Sequence, residues 1–145
     1  MRIAVLNGPN LNLLGTREPE LYGRSSLADI ERRVRQAAAE LDVTLEWEQF
    51  NSEGDLVDAV QNLAGRADGA LINAAAYSHT SLALRDALLA VRVKFVEVHL
   101  SNIFARESMR RTSLLADLAI GIVAGFGGLG YELGLTALVS HLRER

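Results

Sequence analysis

Short apolar runs alternate along the chain with longer stretches whose apolar positions recur at helical spacing. Residues 2–6 read as a buried strand that breaks into Asn7, Gly8, Pro9 and Asn10, and Pro9 prevents its continuation into a sheet interior. Ser26 opens a helix with Asp29 in capping-box position and with Leu27, Ile30, Val34, Ala37 and Leu41 at helical intervals. Residues 44–50 follow as a strand, and 54–64 as a helix carrying Leu56, Val60 and Leu63 inward. Residues 69–73 (GALIN) read as a short buried strand, 81–91 as a helix and 94–100 (KFVEVHL) as another strand. An arginine-bearing stretch, 101–113, leads to a last buried strand near 119–124 and a last helix near 129–142.

Five strands alternating with helices predict an α/β domain over residues 1–145, a parallel sheet covered on both faces. The strand count favours a flavodoxin-like order over a six-stranded dinucleotide fold. At 145 residues, 49% hydrophobic and 23% charged, the composition is that of an ordinary globular domain. A net charge of −3 gives no reason to expect nucleic acid or an anionic membrane as partner. Cysteine is absent, so disulfides and thiolate metal sites are excluded. The apolar run before Asn7 is too short for a signal peptide. Residues 118–139 are apolar, but Glu132 and the glycines of 125–130 interrupt them, so a strand and a helix are expected rather than a membrane span. A cytoplasmic location follows as the expectation.

Ligands of open parallel sheets sit beyond the carboxyl ends of the strands. Those ends carry Asn7 and Asn10, then Asn73, then His99 and Ser101, with Tyr77, Ser78 and His79 just past Asn73. Asn7, Asn10 and Asn12 read as too polar for a core, and the convergence of amides, imidazoles and hydroxyls marks the rim as a site. His79 alone reads by default as a satisfied structural histidine. Glu97 lies two residues before His99 on the same strand face, so the pair reads as an oriented general acid or a plain ion pair. Asp86 is by default a solvated or salt-bridged carboxylate. Arg106 and Arg110, four apart, would share a helix face, as a solvated pair, an anion site or one of each.

Three rival readings fall to spacing. No H-x-x-x-H or paired-carboxylate motif supports a metal. GFGGLG (125–130) has the form of a dinucleotide fingerprint but lacks a following strand with an acidic residue about 20 positions on. A phospho-receiver needs paired acids after strand one, where this chain has Asn7-Gly8-Pro9-Asn10. Between Gly15 and Gly23 the segment TREPELY has little apolar content, as a lid would. It holds Tyr22, which titrates near pH ~10 and needs a nearby cation to act as a base, and Arg17, which is that cation. The alternative is a surface tyrosine on a loop.

LNGPNLNLLGTREPELYG (6–23), NSEGDLVDAV (51–60), LINAAAYSHTSLALRDAL (71–88), EVHLSNIFARESMRRTS (97–113) and VAGFGGLGYELGL (123–135) together resemble the type II 3-dehydroquinate dehydratases over nearly the whole chain. The resemblance implies a flavodoxin-like fold in a homododecamer, a tetramer of trimers. It also implies cofactor-free anti elimination of water from 3-dehydroquinate to 3-dehydroshikimate through an enolate. Carried onto these positions, Tyr22 is the base and Arg17 holds it as phenolate. Asn10 supports the enolate, and His99 protonates the leaving hydroxyl. Asn73, His79 and Arg110 bind substrate hydroxyls, Leu100 and Ser101 bind its carboxylate, and Asp86 comes from a neighbouring subunit. Three positions depart from the family pattern. Phe104 replaces histidine or tyrosine, Ala75 replaces glycine, and Phe50 replaces a small polar residue.

Overall fold

The computed structural model describes residues 1–16, 18, 20 and 24–144. Five parallel strands form one sheet: β1 (Arg2–Asn7), β2 (Thr44–Gln49), β3 (Gly69–Asn73), β4 (Phe95–His99) and β5 (Gly121–Ala124). Their order is β2-β1-β3-β4-β5, the flavodoxin-like arrangement. The register aligns Asn7 with both Gln49 and Asn73, and His99 with Ala124, so the carboxyl ends form one rim.

Side-chain alternation along each strand sends residues to two separate cores. Ile3, Val5, Leu71, Val96 and Val98 face one layer, built by helices α1 (Leu27–Glu40) and the C-terminal α6 (Leu129–Arg143). Ala4, Leu6, Ala70, Ile72 and Phe95 face the other, built by α2 (Glu53–Gln61) and α4 (Leu82–Val91). The helices start where polar caps sit. Ser26 accepts from Asp29 N–H at 3.1 Å while the Asp29 carboxylate accepts from Ser26 N–H at 3.0 Å, a complete capping box. Ser52 and Ser81 cap α2 and α4 in the same way through a side-chain oxygen. Two short helices complete the chain, α3 (Tyr77–Thr80) and α5 (Ser108–Arg111).

One expectation changes. The last strand is shorter than 119–124 and is not buried: β5 is an edge strand with Ile122 39% exposed. Among the described residues, β4 is the one strand that pairs with it. The arginine-bearing stretch 101–113 holds a 3₁₀ turn at Ile103–Ala105 as well as α5. No helix among the described residues is long and apolar enough to cross a membrane.

Candidate active site

Strand β1 ends where Gly8 passes so close to β3 that a Cβ there would collide with the Ala74 carbonyl. Gly8 N–H donates to the Asn73 carbonyl at 2.8 Å, pinning the two strand ends together. The chain then turns through Asn10, whose backbone is left-handed at φ 67°. Asn51, just beyond β2, accepts from Asn10 N–H at 3.0 Å and from the Gln49 side chain at 3.0 Å. Asn10 thereby reaches the pocket at the rim. On the far side, Gly125 at φ 97° and Gly127 donate to the carbonyls of His99 and Leu100, fixing the exit of β4. This is a structural use of the GFGGLG motif.

The pocket brings together most of the predicted residues. Asn10, Asn73, His79, His99, Leu100, Ser101 and Arg110 all line it. Arg106 joins them from the end of the 3₁₀ turn, and Pro9, Leu11, Leu14 and Ile103 form its apolar walls. Arg106 and Arg110 do not share one helix face as their spacing suggests. They lie on separate short elements that the intervening extended backbone aims at the same cavity. Arg110 also pairs with Glu107. Asp86 is exposed on α4 and does not line this pocket. Arg17 and Tyr22 lie outside the described residues.

Asn7 overturns its reading as a residue too polar for the interior. It is fully buried, and so is the Tyr131 side chain of α6 that answers it. The Tyr131 hydroxyl donates to Asn7 Oδ1 at 2.6 Å and accepts from Asn73 Nδ2 at 2.8 Å. Asn7 Nδ2 donates to the Glu48 carbonyl at 3.1 Å, and Asn73 Oδ1 accepts from Ala75 N–H at 3.2 Å. Every amide in this network has a partner, which is what makes burial tolerable. Burial pushes the Tyr131 hydroxyl far above the ordinary tyrosine value, against the Asn73 bond, so it stays a neutral relay. One of the two Asn73 amide hydrogens is committed to Tyr131, leaving the other for the pocket. Tyr131 was missed from the sequence; a tyrosine amid the apolar positions of α6 is its only local signal.

The imidazoles sit on the other side of the sheet. Glu97 and His99 share the face of Phe95, and both are buried. Glu97 Oε2 and His99 Nε2 lie 3.0 Å apart, but off the line of a well-directed hydrogen bond, and neither atom has another partner among the described residues. Ion-pair distance without alignment is common in unliganded sites and tightens on binding. The His79 ring stacks at 6.2 Å from that of His99. Its Nδ1 is 2.8 Å from the Thr112 carbonyl, which can only accept, so Nδ1 carries the hydrogen and Nε2 is left as an acceptor. Burial holds His79 below the ordinary histidine range, helped by the positive neighbours His99 and Arg110. The Thr112 bond and Glu97 act in the opposite sense.

Ala75 also has a geometric explanation. Its φ of 51° lies in the left-handed region that glycine occupies without penalty.

Comparison with known proteins agrees with this geometry. Residues 1–139 match the family model for dehydroquinase class II. The chain is 59% identical over 143 residues to a 3-dehydroquinate dehydratase of Synechococcus sp., covering 99% of this chain and 97% of that one. It is 56% identical to the 3-dehydroquinate dehydratase of Tolumonas auensis, with 99% and 94% covered. Among solved structures, type II dehydroquinase from Propionibacterium acnes superposes with a TM-score of 0.91 at 40% identity, covering 96% of each chain. The type II enzyme from Butyrivibrio crossotus gives 0.93 at 37% identity, covering 95% of this chain and 97% of that one.

Proposed function

The chain belongs to the class II dehydroquinase family, hydro-lyases that convert 3-dehydroquinate in the shikimate pathway, and from that premise we propose how its residues divide the reaction. Elimination beside a ketone needs a base for the carbon acid, stabilisation of the enolate, and an acid for the departing hydroxyl. Tyr22 removes the proton as a phenolate held by Arg17. Asn10, presented by its left-handed backbone, supports the enolate oxygen. His99 gives its proton to the leaving hydroxyl, which departs as water. Glu97, 3.0 Å from Nε2, stabilises the imidazolium from which that proton comes, leaving Nδ1 to pass it on.

Asn73, His79 and Arg110 hold substrate hydroxyls, while Leu100, Ser101 and the cationic side of the pocket hold its carboxylate. The sole lysine, Lys94, precedes β4 at the opposite end of the sheet, so an imine intermediate has no amine at the rim. The exposed position of Asp86 on α4 suits a residue offered to a neighbouring subunit's pocket in a dodecamer, and the enzyme acts in the cytoplasm.

The observation that carries this reading is the buried Glu97–His99 pair opening onto a pocket of amides and guanidinium groups. It is tested with His99→Gln, which leaves a donor facing Glu97 but has no proton to give. Turnover of 3-dehydroquinate should fall about 10²- to 10⁴-fold with substrate affinity retained. Near-normal turnover would remove His99 from the role of acid. In parallel, Tyr22→Phe should abolish turnover, and Arg17→Lys should cost much of it because the planar fork is lost.

A further inference from the structure

Residues 112–115 run behind the Glu97–His99 pair, and each is tied down. The Thr112 carbonyl accepts from His79, Leu114 N–H donates to the Ser78 carbonyl at 2.7 Å, and the Leu114 carbonyl accepts from Arg85 at 2.8 Å. Arg85 is itself fixed by two bonds to Asp117, at 2.6 and 3.0 Å. Within this clasp the Ser113 hydroxyl lies 2.5 Å from Glu97 Oε1 and 3.1 Å from the Leu115 backbone nitrogen. The Leu115 N–H can only donate, so it occupies a lone pair of Ser113 Oγ and directs the hydroxyl hydrogen at Glu97. Leu115 is completely buried, which prevents the N–H from turning to water instead.

We propose that Ser113 is a positioning residue for the acid step, its hydroxyl setting the rotation of the Glu97 carboxylate so that Oε2 faces His99. The inference rests on the reading of His99 as the acid. Glu97 is inaccessible to solvent and has two oxygens to satisfy. A donor on Oε1 satisfies one, and among the described residues the imidazole is the group at ion-pair distance from the other. Without Ser113 the carboxylate is free to rotate, and Oε2 no longer keeps its place opposite Nε2. His99 would then lose the fixed carboxylate that orients its ring for proton transfer. The groups facing His99 are Glu97 from its own strand, His79 from α3, and Arg106 and Arg110 across the pocket. Of these, Ser113 touches Glu97.

The test uses the full-length enzyme with 3-dehydroquinate. Ser113→Ala should lower kcat roughly 10- to 100-fold, the range for losing a hydrogen bond to a charged group, with KM within about threefold. Ser113→Thr keeps the hydroxyl and should restore kcat to within a few-fold, and it remains informative if the alanine variant folds poorly. In proton spectra of histidine-labelled enzyme, the His99 ring N–H facing Glu97 should be slow to exchange in the wild type and in Ser113→Thr, and broadened in Ser113→Ala. A wild-type kcat in Ser113→Ala, or a Ser113→Thr variant as slow as the alanine one, overturns the proposal. If His99→Gln is itself active, the acid assignment has failed instead, and the His99 N–H signal still reports whether Ser113 positions the pair.

Discussion

The two faces of the sheet meet at one rim, and they handle buried polar groups in opposite ways. On the face covered by α1 and α6, Asn7, Tyr131 and Asn73 form a closed set of neutral hydrogen bonds in which each group is answered. On the face covered by α2 and α4, Glu97 and His99 bring a carboxylate and an imidazole together, with Oε2 and Nε2 lacking a directed partner. The first arrangement is satisfied within itself, apart from the one Asn73 amide hydrogen left for the pocket. The second keeps a charge and a proton in an environment where each matters more than in water. A frame and a reactive pair thus share the same strand ends, separated by the pleat. Asn73 and His99 occupy neighbouring strand ends, yet their side chains belong to different networks.

The largest effect that would break this contrast comes from Tyr131→Phe. Removing the hydroxyl strips partners from two buried amides, each costing about 1–3 kcal/mol. Stability measured by urea unfolding should fall by about 2–4 kcal/mol, while kcat should stay within about tenfold of wild type. A smaller effect tests the imidazole side through pH. His79 is held below the ordinary histidine range in the folded state, whereas in the unfolded chain it titrates near pH ~6.5. Below that pH the unfolded chain binds a proton that folded His79 resists, so the contribution is present above about pH 6.5 and is lost as pH falls. His79→Gln should therefore lose roughly 1–2 °C less in Tm than wild type between pH 7.5 and 5.5. An effect of similar size concerns the turn beside Asn73. Ala75→Gly relieves a left-handed alanine worth about 1–2 kcal/mol, offset by about 0.5–1 kcal/mol of added chain entropy. Thermal unfolding should show a gain of up to about 1 kcal/mol, and a loss of that size would mean the turn is not strained.

The sequence made the frame legible wherever the information was local. Short apolar runs located four strands to within a residue or two, and the Ser26 capping box located the start of α1. Glu97 and His99 could be paired because strand geometry alone puts residues two apart on one face. Asn7 was misjudged because the group that satisfies it, Tyr131, lies 124 residues away. Ser113 escaped for the same reason, being joined to Glu97 only after the chain has traversed the 3₁₀ turn and α5. Arg106 and Arg110 reached the pocket by a route their spacing did not predict, since helical periodicity assumes one helix and the chain makes two short elements. The edge position of β5 depends on strand order, which composition does not encode. Tyr22 and Arg17 rest on the family resemblance and on the chemistry the reaction demands.

The separation of frame from chemistry is tested most directly by measuring turnover and thermal unfolding on His99→Gln and Tyr131→Phe side by side. His99→Gln should lose about 10²- to 10⁴-fold in kcat while its Tm stays near that of wild type. Tyr131→Phe should lose several degrees in Tm while its kcat stays within about tenfold of wild type. If instead Tyr131→Phe matches His99→Gln in lost turnover while keeping its Tm, the amide network takes part in the chemistry and the division between the two faces is wrong.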